Sequence, residues 1–106
     1  KRTFLDGGRY IGNFVNGEEN GQGIYLWKNG NRYNGEWKRG KMNGCGILTN
    51  LNGERYEGSF YEGKKHGKGI YISALGAKYL TEYWDGQLVS SEKNLELDLK
   101  KKCPNF

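Results

Sequence analysis

A chain of 106 residues is short for more than one domain. Only 35% of it is hydrophobic and the mean hydropathy is −0.91. That is little aliphatic side chain for one compact core, though enough for a solenoid, whose repeats bury surface only against their neighbours. The formal charge of +5, from 17 Lys and Arg against 12 Asp and Glu, leans slightly toward an anionic partner, yet a solvated basic surface is the commoner meaning. Cys45 and Cys103 have no metal-ligand spacing and form no framework, and they read as reduced thiols in a cytosolic setting. No run approaches the ~18 apolar residues needed to span a bilayer, and no signal peptide is visible. The chain starts at Lys1 without an initiator methionine, so a fragment or trimmed chain is expected.

In chain order, Lys1–Leu5 reads as the end of an earlier unit. Moving Trp27 and Gly30 back by 23 residues lands on Phe4 and Gly7. Thr3–Leu5 is then a strand whose hairpin partner lies upstream or is missing. From Tyr10 the pattern Y-x-G-x-[aromatic]-x-x-G-x-x-x-G-x-G recurs every 23 residues. One column holds Tyr10, Tyr33, Tyr56 and Tyr79. The next holds Gly12, Gly35 and Gly58, with Thr81 in the fourth copy. Then come Phe14, Trp37, Phe60 and Tyr83. Gly17, Gly40, Gly63 and Gly86 form another column, and Gly21, Gly44 and Gly67 the one after. They are followed by Gly23, Gly46 and Gly69, and the last column is Gly7, Gly30, Gly53 and Gly76. Of the 18 glycines only Gly8 stands outside this scheme. A fixed period of this length marks a repeat architecture.

Each copy reads as a β-hairpin. Tyr33–Trp37 alternates with period two and gives the first strand. Lys38–Asn43 carries the chain round, Gly44–Thr49 returns, and Asn50–Glu54 is the tight turn into the next copy. The Asn29-Gly30 and Asn52-Gly53 pairs suit such turns. Alternation places Tyr33, Gly35 and Trp37 on one face, and Gly44, Gly46 and Leu48 together on the returning strand. If the two faces coincide, each ring lies flat over backbone that glycine leaves bare. A Cβ at Gly35 or Gly46 would push the ring away, so the columns Gly12, Gly35, Gly58 and Gly23, Gly46, Gly69 are structural. Stacked hairpins make one twisted antiparallel sheet that curls into a trough. The Ile24, Ile47 and Ile70 column points to the other face or clamps neighbouring hairpins.

The fourth copy decays, with Thr81, Ser90 and Glu92 in place of glycine. Ser90-Ser91 then predicts a helix cap, with Glu92 in the first turn and Lys100–Lys102 at the far end. Leu95, Leu99 and Cys103 would form its apolar stripe over Glu92–Lys101. The expected fold class is an all-β repeat: consecutive hairpins in one elongated antiparallel sheet over 1–88, about four repeats. A capping helix and tail over 89–106 would follow; because Leu97 breaks the stripe, a disordered or extended tail is the alternative.

Little here points to catalysis. Gly58–Gly63-Lys64-Lys65 and Gly35–Gly40-Lys41-Met42 fall short of a phosphate-binding loop, because Lys65 and Met42 stand where Ser or Thr must hold magnesium. His66, the only histidine, reads as a solvated loop residue. Glu36, Glu57 and Glu82 lie near one column and read as outward strand residues facing basic ones. No catalytic residue, metal ligand or cofactor is expected. The Lys38-Arg39-x-Lys41 and Lys64-Lys65-His66-x-Lys68 loops fall on one edge of the sheet. That edge either touches an acidic membrane or is solvated and blocks edge-to-edge pairing. Nucleic acid is not expected, because the rings are already used against glycine.

The repeated skeleton, across roughly Thr3 to Leu88, resembles the MORN (membrane occupation and recognition nexus) repeat. The resemblance implies a non-catalytic module for scaffolding, oligomerisation or contact with membranes and acidic phospholipids, often beside a catalytic domain such as a lipid kinase or lysine methyltransferase. It implies a trough that receives a helical segment of a partner or the chain's own tail. Carried over by position, that trough is lined by Tyr10, Phe14, Tyr33, Trp37, Tyr56, Phe60, Tyr79 and Tyr83. The alternative is a phospholipid adaptor using Lys38, Arg39, Lys41, Lys64, Lys65 and Lys68. Two such sheets could also pair as a homodimer. The expected place is the cytoplasm, at the inner membrane face or the cytoskeleton.

Overall fold

The computed structural model describes residues 2–3 and 7–93. Nine strands follow one another in a single sheet, each pairing antiparallel with the next in sequence. They are β1 (Arg2–Thr3), β2 (Arg9–Val15), β3 (Glu18–Leu26), β4 (Arg32–Lys38), β5 (Lys41–Thr49), β6 (Arg55–Tyr61), β7 (Lys64–Ile72), β8 (Lys78–Trp84) and β9 (Gln87–Lys93). Nine strands at ~4.8 Å spacing account for the 40 Å long axis. No helix occurs among the described residues.

The hairpin turns lie within the expected segments but are tighter than the sequence suggests. Lys38 pairs directly with Lys41, and Tyr61 with Lys64. The turns are therefore two residues long, Arg39-Gly40 and Glu62-Gly63, and Lys41–Asn43 belongs to a strand. Arg39 at φ 51° and Gly40 at φ 82° both lie in the left-handed region. Two successive residues of that kind match the twist of a hairpin. Asn16-Gly17 forms the first hairpin tip, while Asn29-Gly30 and Asn52-Gly53 sit, as expected, in the longer turns between repeats. There Gly30 N–H donates to Trp27 O at 3.0 Å, and Gly53 N–H to Asn50 O at 3.0 Å. The hairpin tips also bond to their neighbours. Gly40 N–H donates to Glu19 O, Gly63 N–H to Met42 O and Gly86 N–H to Lys65 O, at 2.8–2.9 Å.

The register sorts the side chains. Tyr33 faces Tyr25 and Leu48, Gly35 faces Gly23 and Gly46, and Leu48 faces Tyr56. Rings and glycines thus share one face. Ile24 pairs with Ile11 and Asn34, Ile47 with Asn34 and Glu57, and Ile70 with Glu57 and Leu80. The isoleucine column is therefore on the opposite face. Ile70 is fully buried there, beside Glu57, which is ion-paired with Arg55.

Four expectations need correction. Ser90–Lys93 is strand, so no helix starts at Glu92. The rest of that expected helix lies outside the described residues. Glu57 is in the Asn34 register row, two residues away from the column of Glu36 and Glu82. His66 is in β7, half-buried, with rings on both sides. Cys45 is disulfide-bonded, so it is no reduced thiol and gives no support to a cytoplasmic location. Cys103, the other cysteine of the sequence, lies outside the described residues.

Candidate interaction groove

Each full repeat builds the same ring-on-backbone unit. Tyr33 crosses to the returning strand and lies over Gly46. A Cβ added at Gly46 would stand 2.2 Å from Tyr33 Cε1 and 2.3 Å from its hydroxyl. Added at Gly23 or Gly69, it would stand 2.1 Å or 2.5 Å from the hydroxyl of Tyr10 or Tyr56. Their cross-strand partners have no more room: a Cβ at Gly35 would be 2.5 Å from Gly46 Cα.

The phenol tip of each ring has a fixed partner. Tyr10, Tyr33 and Tyr56 hydroxyls donate to the carbonyls of Asn13, Glu36 and Ser59, at 2.9, 2.9 and 3.3 Å. The register slips at these three residues. Each stands alone opposite three residues of the returning strand, as Glu36 does opposite Asn43, Gly44 and Cys45, and the hydroxyl serves its carbonyl. Burial raises the pKa of all three phenols, most at Tyr33 and Tyr56. The charges of Glu19 and Glu36 add to the rise at Tyr10 and Tyr33. These groups stay protonated as donors. In the degenerate fourth copy Thr81 replaces glycine, and its hydroxyl donates to Gly69 O at 3.0 Å.

The rings then interlock along the sheet. Phe14, Tyr10, Trp37, Tyr33, Phe60, Tyr56 and Tyr83 form one row of edge-to-face contacts, with centroids 5.0–5.6 Å apart. Trp37 Nε1 donates to Gly23 O at 3.1 Å and ties the row to the backbone. Tyr79 stands outside it, against Tyr71.

Above this row runs an open cleft of about 490 Å³. Met42, Leu48, Phe60 and Tyr83 line its floor, with Trp27 alongside. Asn29, Asn31 and Asn50 from the inter-repeat turns stand on one side; Gly63, Lys64 and Gly86 from the hairpin tips stand on the other. Both margins of the sheet bound one cleft, so the ring face is the concave one.

Seven of the eight predicted trough residues share the row, Tyr79 being outside it, and only Phe60 and Tyr83 of them line the cleft. Tyr10 and Tyr33 are 0% exposed, Tyr56 2% and Trp37 8%. They form the foundation. Tyr83 is half-buried and Phe14 exposed. Sequence reasoning missed Trp27 and Met42, and it placed Leu48 on the ring face and Lys65 on the basic edge without assigning either to the trough. Glu19, Met42, Lys65 and Leu88 form a 23-residue column, paired with Phe14, Trp37, Phe60 and Tyr83. A two-residue turn at Arg39-Gly40 would have revealed it. Lys65 Nζ lies 4.8 Å from the Tyr56 ring centroid and 5.0 Å from that of Tyr83.

The basic residues divide. Lys38, Arg39 and Lys41 gather at one tip around a hollow shared with Tyr61 and Glu62. Lys64 is at the next tip, 3.7 Å from Asp85. Lys65 turns into the groove, and Lys68 is mid-strand on the opposite face, in register with Glu82. His66 Nδ1 accepts from Asp85 N–H at 3.0 Å, between the Tyr61 and Trp84 rings. No cluster of three or more His, Cys, Asp or Glu suited to a metal occurs among the described residues.

The MORN-repeat family model matches residues 10–32, 33–55 and 56–76, well over half of the chain. This chain belongs to the MORN-repeat family. The three matched MORN repeats are the three units in which a tyrosine rests on glycine. MORN repeats are generally protein- or membrane-interaction modules and typically non-catalytic. Comparison with curated proteins finds no match. No helix among the described residues is long and apolar enough to cross a membrane.

Proposed function

We propose that this MORN array is a non-catalytic scaffold whose groove receives a helical segment of a partner protein. The observation that carries this is the open cleft above the ring row, floored by Met42, Leu48, Phe60 and Tyr83. Apolar side chains spaced along a groove suit the i, i+3, i+4 anchors of an amphipathic helix. Edge-to-face packing fixes the floor before binding, which limits the ordering cost of association. Asn29, Asn31 and Asn50 give a polar rim, the usual border of an interface. Such a module serves equally as a regulatory segment of a larger enzyme, and two copies could pair as a homodimer.

The test is photo-crosslinking from single sites in the full chain. A probe at Met42 should capture a partner whose crosslinked residues fall at helical spacing. A probe at Lys68, on the opposite face, should not. Equal capture from both faces would overturn the reading.

A second reading rests on the Lys38, Arg39 and Lys41 cluster beside exposed Tyr61. A basic tip with an amphipathic ring suits an acidic phospholipid surface, at about 1 kcal/mol per basic residue. Sedimentation with phosphatidylserine vesicles tests it. Lys38→Glu with Arg39→Glu should abolish binding, and unchanged sedimentation would exclude this edge.

A further inference from the structure

Among the described residues the charged side chains lining the cleft are Lys64 and Lys65, with no aspartate or glutamate. Lys65 is half-buried, with its ammonium over two ring faces. No carboxylate lies within ion-pair distance of it among the described residues. The nearest acidic influence is Glu54, whose carboxylate is engaged by the Tyr71 hydroxyl and, at 2.9 Å, by Asn52 Nδ2. Burial lowers the Lys65 pKa, and Glu54 offsets this in part. The fold does not require a lysine here, since the same slot holds Glu19 and Met42 in the preceding copies. Its backbone is held in place, with Lys65 O accepting from Gly86 N–H at 2.8 Å.

We propose that the groove is selective for acidic helices, with Lys65 pairing a glutamate or aspartate at the margin of the partner's apolar face. This rests on the groove being a peptide site. A half-buried cation over two ring faces, offset only in part by Glu54, gains when a carboxylate enters the same space. Lys64, one residue away at the rim, is shared with Asp85 at 3.7 Å, so the selectivity rests on Lys65.

The test uses two designed helical peptides of about 18 residues, ~27 Å long, with the same leucine face. One carries glutamate along both margins of that face, the other glutamine. Each is titrated calorimetrically into the full chain at low salt. The glutamate peptide should bind about tenfold tighter. Lys65→Met, the residue of the preceding repeat, should bring it down to the glutamine peptide's affinity. The glutamine peptide should change by about twofold or less, while Lys65→Arg keeps the preference. Lys65→Gln replaces Lys65→Met should that variant unfold. Equal affinities in the native chain, or a preference that survives Lys65→Met, would overturn the inference and leave the peptide groove standing. No binding of either peptide would overturn both. Phosphatidylserine vesicles that bind in a Lys65-dependent way, with neither peptide binding, would give the site to an anionic headgroup instead.

Discussion

Tyr33 occupies the space a side chain at Gly46 would need: a Cβ there would stand 2.2 Å from the ring. The same pairing joins Tyr10 to Gly23 and Tyr56 to Gly69. Tyrosine and glycine are thus two halves of one packing unit.

Gly46→Ala should cost about 3 kcal/mol, the upper part of the range for overpacking a core. Gly63→Ala is the control. It has nothing within 4 Å but a φ of +84°, so it should cost only the ~1–2 kcal/mol of a left-handed alanine. Urea unfolding of both variants checks the order; equal costs would mean that Tyr33 does not rest on Gly46.

Tyr33→Phe removes the donor to Glu36 O and keeps the ring. It should cost about 1–2 kcal/mol, because a carbonyl in the bulge loses its partner. Tyr79 makes no such bond among the described residues, and Tyr79→Phe should be close to neutral in the same denaturation experiment.

Stability should fall in alkali. The phenols of Tyr10, Tyr33 and Tyr56 have folded-state pKa values raised above the ordinary 10.0. Below pH 10 both states hold these protons and nothing is lost. Above it the unfolded chain ionises first, so the folded state binds more protons and loses stability as pH rises. Each strongly shifted phenol contributes about 1.4 kcal/mol per pH unit between 10 and its folded value. Lys65, lowered by burial, acts in the opposite sense as it deprotonates. Urea midpoints between pH 8 and 11 should therefore decline only past pH 10, and less steeply in Tyr33→Phe.

Much of this was legible in the sequence. The period gave the hairpins, and period-two alternation put Tyr33, Gly35 and Trp37 on one face. The tips were misread because Arg39 and Glu62 adopt φ of 51°, which neither residue type advertises, although Asn16-Gly17 and Asp85-Gly86 in the same column carry the hairpin signal. Misplacing them hid Met42 and Lys65 in a supposed loop and left His66 there too. The depth of the tyrosines was also hidden. A column shows that rings share a face, but not that rings of neighbouring columns interleave and bury one another.

Arg39→Asn follows from that misreading. Asparagine tolerates the left-handed region and stands at the matching position in the first copy, Asn16, at φ 52°. The substitution should stabilise the array by about 0.5–1 kcal/mol, read as a higher urea midpoint. It also removes one basic group from the Lys38 cluster, which vesicle sedimentation would register separately.

The most direct measurement is the proton NMR spectrum of the intact chain with Gly23, Gly46 and Gly69 assigned. Their α-protons lie under the Tyr10, Tyr33 and Tyr56 rings, so they should be shifted upfield and show Overhauser contacts to those rings alone. Alpha-proton shifts near random-coil values, with no ring contacts, would contradict the pairing on which the groove is built.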